Sequence, residues 1–503
     1  MTSQADIAVT IGIRNRNRRS IKKMKLYDLL KEVRGYEIKT DIPNEEVVSI
    51  TDNSRKIQKG CVFVCIKGAS FDGHTKAEEA LENGAIAVIT ERDMGLKRQI
   101  VVDDTRDFYG ALCASWFGNP QEKITAIGVT GTNGKTTMTN VIKHILTADG
   151  HKVGLIGTIQ NEIGDEVLHT DNTTPFAYDL MELFAKMVKA GCDYVVMEVS
   201  SFGLVQKRIG NIHFKVGVFT NLTQDHLDYH KTMEEYYKAK KMLFDISDIA
   251  VCDIDDDYGK RLFSEITCEK YSYSIKGEAD YFADMIKISA SGSQFWYCGD
   301  SKSYKVETLM TGSFNVANLT GAITVCLKLG VSIEKILEVL KNHTGVKGRC
   351  EVIPTGKDFS VICDYAHTPD AIENILSNVK EYTEGRLICL FGCGGNRDNK
   401  KRPLMAQSAV KYADMLIVTS DNPRDEKPEA IIDEILAGIK DTKVPYEVVV
   451  DRIEAIHHAL KIAKEGDVIV LAGKGHEDYQ VLANNVHIHL DEREVVAEGL
   501  KLI

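Results

Sequence analysis

The sequence predicts an α/β protein of three domains built on mostly parallel sheets. Three observations carry that expectation. The chain has 503 residues, which at roughly 150 per domain allows about three separate cores. Short apolar runs such as "IAVITE", "RLICLFG", "DMLIVTS" and "DVIVLAG" alternate with helical stretches, and strands joined by crossover helices lie parallel. One run, "KITAIGVTGTNGKTT", passes from an apolar strand through a glycine-rich loop into a helix.

Residues 1–23 include "IRNRNRRSIKK" and are expected to form a disordered basic tail rather than a targeting peptide. The domains are expected at 24–119, 120–345 and 346–503, the second opening at the glycine-rich loop and the third following "GVKGR". A net charge of −11, from 62 basic and 73 acidic residues, disfavours a general nucleic-acid binder but leaves room for local phosphate sites. No uninterrupted apolar run approaches the ~20 residues needed to span a membrane. The twelve cysteines, scattered from Cys61 to Cys393, show no CxxC pair and no metal-ligand spacing. They read as reduced core thiols of a cytoplasmic protein. A monomer is expected.

In "GVTGTNGKTT", Gly131, Thr132, Asn133 and Gly134 would curl so that backbone N–H groups face an anion at the positive end of the next helix. Lys135 would neutralise outer phosphates, the Thr136 hydroxyl would ligate magnesium, and Thr137 follows in the first helical turn. An ordinary glycine-rich turn is the alternative; GKT in strand–loop–helix context favours a nucleotide. The common spacing would place a glycine at 129, where Val129 stands. The loop by itself does not separate kinase, ATPase and ligase.

"CDYVVMEVSS" ends a strand at Glu198, a carboxylate that could hold magnesium or simply be solvated. "VGVFTNLTQDHLDYH" delivers His226 just past another strand; a lone histidine is usually structural. In "MEEYYKAKKMLFD", Met233, Tyr236, Tyr237, Lys240 and Phe244 share one helical face, with Lys240 near its centre. Such a lysine either snorkels to the surface, the commoner outcome, or does chemistry.

The motifs "TGTNGKTT", "MEVSS", "NLTQDHLDYH", "AKKMLF", "SFNVANLTGA", "GVKGRCE" and "DYAHTPDA", in that order, strongly resemble the Mur ligases. The resemblance runs from about Asp52 to Gln480. It implies a three-domain ATP-dependent amide ligase of peptidoglycan precursor synthesis, with a central phosphate-loop domain and a Rossmann-like C-terminal domain. It further implies that Lys240 is carbamylated and, with Glu198 and His226, holds a second magnesium, the first lying at Thr136. Asn318, Arg349 and Asp364 match ATP contacts.

"TDNSRKIQKGCVFVCIKG" resembles the UDP-binding signature of members that add the third peptide residue, Ser54 being the matching contact. "NTTP" and "SSFGLVQKRI" belong to the same subgroup pattern, so Thr173, Thr174, Ser200, Gln206 and Arg208 are expected to bind a UDP-N-acetylmuramoyl-dipeptide. Three C-terminal loops are expected to converge where parallel strands end. They carry Arg397; Asp421, Asn422, Pro423 and Arg424; and Gly473 and Glu477. Asn396 stands where many relatives would have aspartate. Arg424 could grip the far carboxylate of meso-2,6-diaminopimelate while Glu477 takes its ammonium. The rival readings are the same reaction with L-lysine, a folylpolyglutamate synthase, a phosphate-loop kinase, and a non-catalytic nucleotide binder.

Overall fold

The computed structural model describes residues 24–503 apart from 32, 34, 39, 69 and 70, so the basic tail lies outside the described residues. The chain forms two compact units, divided between Asn119 and Pro120.

In the first unit, five strands lie in the order Tyr36–Ile38, Gln99–Val102, Ala87–Thr90, Cys61–Val64 and Ser49–Thr51. All neighbours are parallel except the pair made by Tyr36–Ile38. The runs CVFV and AVIT are buried at every position, as strands covered on both faces should be. Ser54 opens a short 3-10 turn, Ser54–Lys56, capped by the Asn53 side chain on Arg55 N.

The second unit carries two larger sheets. In the first of these, eleven strands run from Glu166–Leu168 at one edge to Lys302–Thr308 at the other, and antiparallel hairpins flank a parallel centre. At that centre Thr125–Thr130 lies between Tyr194–Glu198 and Phe214–Phe219, both parallel to it. Val129 pairs with Glu198 on one side and Val218 on the other. This explains the missing glycine: position 129 is buried strand, and the turn begins only at Gly131. The helix that follows, Lys135–Ala148, turns Met138, Val141, Ile142, Ile145 and Leu146 inward at helical spacing. They share a core with Val316, Leu319, Ala322 and Ile323 of helix Ser313–Lys328.

The other sheet has the order Glu351–Ile353, Ser360–Asp364, Val468–Ala472, Leu387–Phe391, Met415–Val418, Tyr446–Val448, parallel throughout but for its first pair. Alternate residues feed two separate cores. Cys389, Phe391, Leu416 and Val418 face one, while Ile388, Leu390, Met415 and Ile417 face the other. Asp364, Ala472, Phe391 and Val418 are in register, so the loops leaving these strands start side by side. Ten of the twelve cysteines are buried, and Cys268 and Cys298 are half-buried. Among the described residues no helix is long and apolar enough to cross a membrane.

The phosphate-loop helix also carries His144, whose Nδ1 lies 3.1 Å from Nδ1 of buried His343. Burial, and secondarily the His144 charge, push His343 down to about 4. Unfolded histidine titrates near ~6.5, so the unfolded chain takes up this proton first and stability falls as pH drops from about 6.5 towards 4. Urea unfolding at pH 7 and pH 5 should show a loss that is smaller by about 2 kcal/mol in His343→Asn than in the parent. An equal loss in both would show that His343 is protonated in the folded protein.

Candidate active site

The carboxyl ends of the three central strands place a glycine loop, a carboxylate and a polar segment next to one another. Gly134 has φ +86°, and a Cβ there would meet Asn318 Oδ1 at 2.4 Å, so buried Asn318 lies directly against the loop. A Cβ on Gly131 would come within 1.8 Å of Thr220 Oγ1. The segment after Phe219 pins this turn. Thr132 N donates to Asn221 O at 2.9 Å, Asn133 N to Asn221 Oδ1 at 2.9 Å, and Thr220 Oγ1 to Asn133 O at 2.6 Å. Lys135 Nζ folds back and donates to the carbonyls of Gly131 and Thr132, both at 2.9 Å. Burial lowers its pKa against the opposing pull of Glu198, and the positive charge of Arg349 adds to the lowering. Thr136 and Thr137 are buried in the first helical turn.

Lys240 does not snorkel. Helix Met233–Lys241 buries Tyr236, Tyr237, Ala239 and Lys240 while Lys238 faces solvent. The Lys240 ammonium is 1 % exposed, donates to Gly131 O at 2.7 Å, and lies 4.6 Å above the Tyr236 ring. Snorkelling needs a route along apolar surface to water, and here the stem ends inside, fastened to the phosphate loop. Burial, then the neighbouring Lys135 charge, hold its pKa well below the ordinary lysine value. His226 is exposed, in the left-handed region at φ +54°, with its ring edge-on to Phe202 and Tyr236. Lys240 and His226 thus both contact the Tyr236 ring, and His226 Nε2 lies 3.4 Å from Asp225 Oδ2.

Glu198 is 1 % exposed and accepts from Thr136 Oγ1, Thr158 N and Thr158 Oγ1, each at 2.9 Å. Thr158 Oγ1 lies 3.0 Å from Thr173 Oγ1. Thr174 Oγ1 donates to Glu198 O and accepts from Ser200 N, both at 2.9 Å, and Ser200 caps helix Ser201–Val205. Arg208 donates to Thr174 O at 2.9 Å, holds Gln206 Oε1 through two nitrogens, and lies 4.0 Å over the Phe176 ring. One continuous hydrogen-bonded chain therefore joins Thr136 to the five residues expected to read the UDP-dipeptide in this unit.

Asp364 ends its strand accepting from Cys350 N at 2.7 Å and Ala366 N at 2.8 Å, which ties the Arg349–Cys350 segment to the six-stranded sheet. Burial raises its pKa, with Arg349 opposing. The Arg349 guanidinium lies 5.0 Å over the Tyr365 ring. Beside it, the three expected loops do converge. Arg424, with φ +51°, donates from Nη1 to Gly395 O at 3.0 Å and Asn422 O at 3.4 Å. A Cβ on Gly394 would lie 2.9 Å from Arg424 Nη1 and 3.7 Å from Arg397 Cγ, so these two arginines flank one glycine. Arg397 is exposed, and Pro423 is buried. Asn396 Oδ1 accepts Asp425 N at 3.1 Å, a bond that ties the Arg397 loop to the Arg424 loop. Glu477 Oε2 accepts from Asn422 Nδ2 at 3.0 Å and Lys474 Nζ at 2.9 Å.

Among the described residues no three His, Cys, Asp or Glu side chains converge as a metal site. The Thr136 hydroxyl and the Glu198 carboxylate, 2.9 Å apart, nevertheless make an oxygen pair of the kind magnesium takes, while Lys240 offers oxygen only as a carbamate. Sequence reasoning missed Thr158, which fixes both Glu198 oxygens, and Lys474, which holds Glu477. A lysine between two glycines at the end of a buried strand was the available signal for the latter.

Residues 46–116 match the Mur ligase family catalytic domain, 129–326 the Mur ligase middle domain and 348–475 the Mur ligase glutamate ligase domain. The chain is 47% identical over 481 residues to the UDP-N-acetylmuramoyl-L-alanyl-D-glutamate--2,6-diaminopimelate ligase of Caldanaerobacter subterraneus, covering 95% of this chain and 99% of that one. To an enzyme with the same reaction name in Clostridium acetobutylicum it is 44% identical over 483 residues, covering 95% and 99%. A solved structure of a UDP-N-acetylmuramoyl-L-alanyl-D-glutamate--2,6-diaminopimelate ligase superimposes with a TM-score of 0.72 at 31% identity, over 95% of this chain and 99% of that one. With its phosphate loop, buried lysine and converging C-terminal loops, the chain belongs to the Mur ligase family of ATP-dependent ligases.

Proposed function

We propose that the chain joins meso-2,6-diaminopimelate to the D-glutamate of UDP-N-acetylmuramoyl-L-alanyl-D-glutamate, consuming ATP, in peptidoglycan precursor synthesis. The observation that carries the choice of amine is that Arg424 and Glu477 both bond to Asn422 at the end of one sheet, a cation and a carboxylate for the far end of a zwitterion. The names of the relatives support the same substrate pair.

In the first step a carboxylate oxygen of D-glutamate attacks the γ-phosphorus and the bond to ADP breaks, giving an acyl phosphate. In the second the amine attacks the acyl carbon, phosphate leaves, and the nitrogen loses a proton. Gly131 to Thr137 would cradle the phosphates, with Lys135 drawing off charge as the anionic oxygen approaches. Asn318 would contact adenine, and Arg349 and Asp364 would hold the nucleotide from the C-terminal side. Thr173, Thr174, Ser200, Gln206 and Arg208 would seat the UDP-dipeptide; Ser54, on the first unit, is assigned to it by sequence resemblance. Arg397, Asp421, Asn422, Pro423, Arg424, Gly473 and Glu477 would orient the amine, and orientation carries much of the rate in amide formation. Magnesium, held at Thr136 and Glu198 and at carbamylated Lys240 with Glu198 and His226, would offset the charge that opposes carboxylate attack. A lysine whose proton affinity burial lowers gives up its proton more readily, and the neutral amine can form the carbamate: its nitrogen bonds the carbon of CO2 and one proton is released.

ATP, magnesium and the UDP-dipeptide should release phosphate with diaminopimelate and not with lysine; equal use of lysine would overturn the reading. Arg424→Ala should lower kcat/KM for diaminopimelate by about 10- to 100-fold, the scale of a charge-assisted hydrogen bond, and leave any lysine turnover nearly unchanged. Lys240→Ala should lose at least about 100-fold in kcat and regain part of it with bicarbonate plus a short carboxylic acid. Full activity of Lys240→Ala without rescue would rule out the carbamate.

A further inference from the structure

Lys474 is 0 % exposed, yet it stands in the loop that follows strand Val468–Ala472. It points inward because both neighbours are glycines in the left-handed region, Gly473 at φ +117° and Gly475 at φ +53°. A Cβ on Gly473 would come within 2.9 Å of Asp421 Oδ2, and one on Gly475 within 2.6 Å of Tyr365 Cβ. The turn therefore tolerates no side chain on either flank, and only the lysine enters.

Inside, its three N–H groups find three acceptors: Glu477 Oε2 at 2.9 Å, Asn422 Oδ1 at 3.0 Å and Asp421 Oδ1 at 3.5 Å. The Asn422 amide is thereby fixed in orientation. Its Oδ1 takes Lys474 and Val481 N, so its Nδ2 must face Glu477. Behind Asp421 lies Arg452, fully buried and paired with Glu492 at 2.7 Å. Around Asp421 there are thus two buried cations, Lys474 and Arg452, against the three carboxylates of Asp421, Glu477 and Glu492.

We propose that Lys474 is a specificity-determining positioning residue. Its ammonium keeps the pocket close to neutral, so that a side chain bearing only an ammonium gains little there, and the choice falls to the carboxylate that Arg424 can grip. The inference rests on the reading of the amine above. Without Lys474, Asp421 and Glu477 lose the cation that bonds them both, and in a partly desolvated site their excess negative charge attracts any ammonium. The amine that gains from this is lysine.

The test compares kcat/KM for diaminopimelate and for lysine in the full-length enzyme with ATP, magnesium and the UDP-dipeptide. Lys474→Met should lower the diaminopimelate-to-lysine ratio by about tenfold or more, and Lys474→Arg, which keeps the charge, should restore most of it. Asp421→Asn makes the pocket more positive and should move the ratio the other way. Opposite signs are the electrostatic signature, since a residue needed only for folding would depress both amines together. The proposal is overturned if Lys474→Met leaves the ratio unchanged. If that variant does not fold, an unchanged or lowered ratio in Asp421→Asn overturns it instead. Parent enzyme run alongside separates the two readings: failure to use diaminopimelate there counts against the proposed function, not against the role of Lys474.

Discussion

Two lysines share one carbonyl. Gly131 O accepts Lys135 Nζ at 2.9 Å and Lys240 Nζ at 2.7 Å, and much of the central architecture serves to hold them there. The strand Thr125–Thr130 delivers the carbonyl, the helix from Lys135 delivers one amine, and the helix Met233–Lys241 delivers the other. Like charges at such range in a desolvated place repel, so the Lys135 charge adds to burial in lowering the proton affinity of Lys240. The site is left short of negative charge. On the proposed function, a triphosphate would supply it to Lys135 and a carbamate would supply it at Lys240.

The C-terminal sheet solves a related problem with the opposite bias. Carboxylates cluster where the strands end, and buried cations hold them: Arg452 against Glu492, Lys474 against Glu477, and Arg402 against Glu426 and Glu434. Breaking the fully buried Arg452–Glu492 pair would cost about 3–5 kcal/mol because it strands the remaining charge. These pairs therefore set where the loops that leave the strands stand. Arg402 shows this most directly, since it also donates to Gly394 O at the root of the loop that carries Arg397.

The parallel strand alternation, the turn at Gly131–Gly134, the helical face carrying Lys240 and the meeting of the loops at Arg397, Arg424 and Glu477 were all legible in the sequence. Each is written in local chemistry: apolar runs, glycines before GKT, a 3.6-residue stripe, polar clusters after buried strands. The glycine expected at 129 was not needed, because the ladder continues through Val129 and the chain turns two residues later. Residue type did not reveal that Thr158 binds both oxygens of Glu198, a contact across 40 residues of chain.

What the sequence by itself determined is the set of elements and the chemical groups at their ends, since helix, strand and turn depend on spacing within a few residues. Only the tertiary structure decided what those groups experience. A lysine on an apolar stripe could have reached water, and it was the packing of its helix against the phosphate loop that closed the exit and lowered its pKa. A lysine between two glycines could have been a solvated loop residue, and it was the register of Asp364, Ala472, Phe391 and Val418 that set Asp421, Asn422 and Glu477 around it. Burial and charge proximity arise from residues far apart in the chain, and a local pattern carries no measure of either.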